Sequence, residues 1–107
     1  MDLEIRLYRI DRNDAAARGQ CLTAVVRDAA AGAERLLVER DESTYDFDRR
    51  TLFDAVRLHG CADTLTCAVV AAHADPLLWI PDAVAWCWAA GREWRATVEP
   101  LCVENEV

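Results

Sequence analysis

The stretch 35-RLLVERDESTYDFDRRTLFDAVRLHGCADTLTCAVVA-71 decides the fold. It opens on a short apolar run, RLLVER, and closes on a second, β-branched one, 64-TLTCAVVA-71. Both have strand length, and both are too continuously apolar for a strand with one wet face. Between them lies a polar loop, 41-DESTYD-46, where Asp46 can cap a helix. Leu52, Val56 and His59 then fall on one helical stripe with Phe53 beside it. Gly60 follows, where a left-handed residue closes a helix. Strand, helix and strand in this order form a crossover unit, so the two runs are expected to be parallel neighbours.

The flanks extend the alternation. In Met1–Ile10 the residues Leu3, Ile5 and Leu7 share one face, with Asp2, Glu4 and Arg6 on the other, which is strand periodicity. Asp11, Asn13 or Asp14 can cap a long helix whose stripe is Cys21, Leu22, Val25, Val26 and Ala29, ended by Gly32. Beyond the second run, Pro76 and Pro81 flank 77-LLWI-80, and Pro81 suits the first position of a last helix that runs to Ala90 and Gly91. The tail from Trp94 to Val107 alternates weakly, as an edge strand or a surface segment would. The expectation is one α/β domain over residues 1–107: a two- or three-layer sandwich on a small, mostly parallel sheet, in the order strand, helix, strand, helix, strand, helix.

Composition sets outer bounds. With 107 residues, 53% of them hydrophobic, the chain has one small core to build and no reason to be disordered. A formal charge of −7 argues against passive binding to a nucleic-acid backbone, but not against a nuclease whose site is itself a nest of carboxylates. All twelve basic residues are arginine, which together with abundant alanine reads as the codon bias of a GC-rich genome. No segment has the pattern of a signal peptide or the length of a membrane span. Five cysteines with no CxxC pair indicate reduced, mostly buried thiols in a cytoplasmic protein.

Two acidic residues stand out. Asp82 is the sole charge in Leu77–Ala90, a stretch with three tryptophans. A carboxylate there either serves the dipole of a helix N-terminus or, since the helix is apolar nearly all round and expected to be buried, faces a cleft. Glu39 ends the first apolar strand, and ligands of open α/β sheets bind beyond the strands' carboxyl ends. With Asp41 behind it, Glu39 is either part of a solvated charged loop or a holder of Mg²⁺ or Mn²⁺, which oxygen ligands favour. His59 suits a helix C-terminus, and His73 follows the second strand as a candidate ligand or proton carrier. A zinc site from His59, Cys61, Cys67 and His73 would lack the usual close ligand pairs.

LLVER, a helix, a strand and then 77-LLWIPDAVAWCW-88 together resemble the C-terminal part of a bacterial RNase H-like family of unknown function, frequent in GC-rich actinobacteria. The resemblance spans roughly residues 12–103, and its specific part is 36-LLVER-40 with 77-LLWIPDAVAW-86. It implies Glu39 as the acid at a strand end and Asp82 as the acid of the last helix, catalytic residues around divalent ions that activate water for phosphodiester cleavage. The first-strand Asp of that fold has no counterpart here, because Met1–Ile10 would match the third strand and Asp14–Ala31 the first helix. The resemblance therefore implies a truncated, weakly active or inactive metal-dependent nuclease, with an exposed sheet edge that a homodimer would cover. The competing expectation is a non-catalytic interaction or dimerisation module that uses a sheet edge and the tryptophan-rich helix. Trp79, Trp86 and Trp94 would then be its anchors on a protein partner.

Overall fold

A computed structural model describes residues 4–107. In chain order its elements are β1 (Ile5–Leu7), α1 (Ala15–Ala29), β2 (Arg35–Glu39), α2 (Tyr45–Leu58), β3 (Thr66–Val70), α3 (Trp79–Ala90), α4 (Arg92–Val98) and β4 (Cys102–Glu104). Short 3₁₀ turns occupy Ala72–Ala74, Pro76–Leu78 and Glu99–Leu101. The class is α/β with parallel strands, as the sequence order implies. The strands, however, form two separate two-stranded sheets, β1 with β4 and β2 with β3, where one sheet is expected. They belong to two compact units: residues 8–71 with Glu106 and Val107, and residues 1–7 with 72–105. Asp2 and Leu3, on the two faces of the expected first strand, lie outside the described residues.

The unit of residues 8–71 is built on the crossover. β2 and β3 are parallel, and their register sets Leu36 beside Cys67 and Val38 beside Val69. These four side chains pack on a buried cluster of Val26, Leu52, Ala55, Cys61 and Leu65, drawn from both helices and from the loop before β3. Removing a buried side chain such as Leu52 to alanine costs about 2–5 kcal/mol. Asp14 caps α1 by accepting a hydrogen bond from the Ala17 N–H at 2.7 Å. α1 ends before Gly32, because the Ala31 and Gly32 N–H groups turn back to Asp28 and Ala29 and tighten the last turn. Gly19, inside α1, faces Phe47 of α2, and a Cβ there would lie 3.3 Å from the ring edge.

α2 starts two residues earlier than Asp46 as its cap would set it. Thr44 is its N-cap residue, and Asp46 and Asp48 sit in the first turn, where their charge opposes the free N–H groups. Its end is a complete Schellman closure. The Gly60 N–H bonds to Arg57 O at 3.2 Å, and the Cys61 N–H reaches Val56 O at 2.9 Å. Gly60 has φ +65°, the left-handed backbone that glycine adopts without strain.

The other unit is helical at its centre. α3 begins at Trp79, so Pro81 falls at its third position, still within the turn whose N–H groups have no helical acceptor. The tail is not an alternating segment but a second helix, α4, followed by the short strand β4 beside β1. Gly91 separates α3 from α4 with φ +70° and ψ −165°, a region open to little besides glycine. α3 buries none of its residues, against the expectation of a buried helix. The unit is too small to surround a helix that is apolar on every side.

Candidate functional site

At the carboxyl end of β2 the charges are bound up locally. Glu39 is half-buried as the last strand residue, paired in register with Val70. Arg40 forms an ion pair with Glu42 at 2.7 Å, and its guanidinium lies 4.0 Å from the centre of the Tyr45 ring. One carboxylate oxygen of Asp41 accepts from both the Ser43 hydroxyl, at 2.7 Å, and the Ser43 N–H, at 3.0 Å. The Ser43 hydroxyl, then its N–H, hold the Asp41 carboxyl below its ordinary range, with a smaller contribution from Arg18.

Among the described residues, the charge that the fold encloses is Asp48. Its carboxylate is fully buried and accepts from Arg18 Nε at 2.7 Å, Arg18 Nη2 at 2.7 Å and the Thr44 hydroxyl at 3.0 Å. This two-pronged pair is the strong form of a carboxylate–guanidinium contact. It ties α1 to the first turn of α2. The hydrogen bond to Asp48 raises the Arg18 pKa above its usual value, while partial burial works against it. Among the described residues no buried side-chain nitrogen or oxygen lacks a partner.

Asp82 lies in the first turn of α3 with its side chain exposed. That position suits the helix dipole, and the buried-helix premise for a cleft-facing carboxylate does not hold. Glu39 and Asp41 belong to one unit and Asp82 to the other. Among the described residues, no group of three or more His, Cys, Asp and Glu side chains converges to hold a metal ion. His59 caps the C-terminus of α2, and His73 is exposed in the turn after β3. All five cysteines are unpaired, and of these Cys61 alone is buried.

The apolar residues of the smaller unit are more distinctive than its acids. Trp79, Trp86 and Trp94 are 64%, 58% and 51% exposed, and Leu77, Leu101 and Val103 also face solvent. Trp86 and Trp94 meet edge to face, with ring centroids 5.3 Å apart and planes at 74°. Arg95 lies over the Trp88 ring at 4.1 Å. The two rings thus touch while more than half of each tryptophan stays open to water.

No protein-family model, no curated protein and no solved structure matches the chain. Function therefore rests on the geometry of its own side chains. No helix among the described residues is long and apolar enough to cross a membrane.

The acidic residues singled out in the sequence are not the ones that the fold buries. Asp48 looks like one more member of a charged loop, and its partner lies thirty positions upstream. The aspartate at the fourth position of an amphipathic α2, where Phe47 and Leu52 turn inward, was the available clue.

Proposed function

We propose that the protein is a non-catalytic interaction module that pairs with a second copy of itself through the tryptophan-bearing surface of α3 and α4. The observation that carries this reading is the Trp86–Trp94 pair, in edge-to-face contact yet largely exposed. Exposed aromatic anchors with fixed geometry are the residues that dominate association energies. Exposed apolar surface of this kind is uncommon on a chain with no partner.

A second copy fits on charge and on area. Residues 77–101 hold three acids and two arginines, so this surface carries little of the chain's −7 charge and little self-repulsion. At roughly 150–250 Å² for each whole ring system, the three tryptophans leave about 250–430 Å² open. With the neighbouring leucines, that approaches the lower range of specific interfaces, about 600 Å² per partner. The expected dimer is weak, with a dissociation constant of micromolar order or above.

Sedimentation velocity between 5 and about 500 μM tests it. The weight-average mass should rise towards that of a dimer, and the double substitution Trp86→Ser with Trp94→Ser should hold it at that of the monomer. A wild-type chain that stays monomeric across this range, or a double variant that dimerises equally well, rules the reading out.

A nuclease-derived metal site retains one favourable observation: Glu39 ends a strand that is parallel to its neighbour, with Asp41 two residues on. We propose as a second reading that Mg²⁺ or Mn²⁺ binds at Glu39 and Asp41. Its test is Mn²⁺ titration of the ¹⁵N-labelled chain, followed by the broadening of amide signals at the end of β2. Saturable broadening there that is abolished by Asp41→Asn supports it, and unchanged signals reject it.

A further inference from the structure

We infer that the outer edge of β3, with the groove beside α2, takes an extended acidic peptide as an added strand. This is a docking surface of residues 8–71, independent of the tryptophan face.

The backbone phase comes first. The Thr66 N–H bonds to Glu34 O at 2.9 Å, and the Arg40 N–H bonds to Val70 O at 2.7 Å. In a parallel ladder these two bonds direct the N–H and C=O groups of Thr66, Ala68 and Val70 towards β2. Those of Cys67 and Val69 then point outward, and among the described residues no other strand pairs with β3. Unpaired edge groups of this kind are a template for strand addition.

The side chains then select the occupant. A groove of about 590 Å³ runs beside this edge, lined by Arg49, Leu52, Phe53 and Val56 of α2 and by Cys67 and Val69 of β3. Arg49 is the sole charged residue lining it, and it makes no ion pair among the described residues. Its guanidinium lies 5.4 Å from the Tyr45 ring, which also borders the groove. On a chain of net charge −7, this is a cationic and apolar strip.

Spacing fixes the motif. Along α2, Arg49 and Phe53 are four residues apart, an axial distance of about 6 Å. Side chains on one face of a strand recur every two residues, about 6.6 Å. A peptide paired to Cys67 and Val69 can therefore set a carboxylate against Arg49 and an apolar side chain against Phe53 and Val56. The occupant is an extended segment with Glu or Asp at one position and Val, Ile or Leu two positions away on the same face.

The probe is an acetylated, amidated five-residue peptide, threonine–glutamate–threonine–valine–threonine, titrated into the ¹⁵N-labelled full chain. Saturable shifts at the Cys67 and Val69 amides and along α2 are expected. N-methylation of the peptide's pairing N–H groups should abolish them without altering the protein. Arg49→Glu, a change at an exposed position, should weaken binding at least about tenfold and favour the lysine version of the peptide, because the sign of the contact is reversed. Equal binding of the N-methylated or lysine peptide to the wild-type chain overturns the inference. So does the absence of any shift at β3. Shifts along α2 produced by a twelve-nucleotide uridine strand, with none from the peptide, would instead make the arginine–aromatic strip a nucleic-acid contact.

Discussion

Replacing Arg18 by leucine should be among the most damaging changes to the unit of residues 8–71. The substitution leaves the Asp48 carboxylate fully buried, with the Thr44 hydroxyl as its remaining side-chain donor. Removing one partner of a buried pair costs about 3–5 kcal/mol. The Arg18 side chain is itself 39% exposed, so water can reach part of the vacated space. The expected loss is therefore near the lower end, about 3 kcal/mol. A chain of this size has about 5–15 kcal/mol in all, and each kcal/mol shifts the midpoint of a small domain by about 4–8 °C. Urea unfolding followed by far-ultraviolet circular dichroism, on wild type, Arg18→Leu, Asp48→Leu and the double variant, measures it. The double variant should recover to within about 1 kcal/mol of wild type, since apolar pairs of similar volume often replace buried ion pairs without loss. A cost under about 1 kcal/mol for Arg18→Leu, or a double variant as unstable as the two single losses added together, would refute the reasoning.

Three further outcomes are expected. Gly91→Ala should cost about 1–3 kcal/mol, since its backbone lies in a region other residues avoid, and Gly60→Ala about 1 kcal/mol. Neither added Cβ meets a neighbour within 4 Å, so the cost is conformational, and thermal melts that leave both variants at wild-type stability would contradict it. Burial, aided by nearby Cys61, raises the Cys67 thiol above its ordinary pKa. The folded state thus favours the proton, and this contribution to stability is complete below the ordinary thiol range and is lost as pH rises through the folded value. Alkylation of Cys67 should be slower in the native chain than in urea at pH 8, and equal rates would rule that out. Arg92 has φ +50°, so Arg92→Gly should relieve local strain and leave stability unchanged or slightly raised; a clear loss by the same melts would show that its side chain matters more than its backbone.

The crossover of β2, α2 and β3 was legible because three independent local signals agree on it. Both strands are short β-branched or leucine runs, the helix has one apolar stripe, and Gly60 is needed by a Schellman closure. Gly32 has the same local appearance, yet its backbone is not left-handed: α1 ends in a tightened turn in which the Ala31 and Gly32 N–H groups return to Asp28 and Ala29. α4 was hidden for another reason. Residues 92–98 carry no stripe, and they become helical where Gly91 redirects the chain and the Arg95–Trp88 contact fastens it. How four strands divide into sheets is a long-range property, and none of the runs encodes its neighbour.

Charge burial followed the same rule. Asp82 has apolar sequence neighbours, but apolar neighbours along a chain need not be neighbours in space, and α3 leaves every one of its residues at least partly exposed. Asp48 sits among charged neighbours in sequence and is nevertheless the carboxylate that the fold encloses, because Arg18 is delivered to it from another helix. Around the end of β2, then, Arg18 is committed to Asp48, Arg40 to Glu42 and Tyr45, and Asp41 to Ser43. Groups so engaged would have to give up these partners before binding anything else, which lowers their net affinity for a ligand. Arg49 and the Trp86–Trp94 pair carry no such commitment to an ion pair or a buried core. The surfaces with free energy left to gain from a partner are therefore the arginine-lined groove in one unit and the tryptophan face in the other.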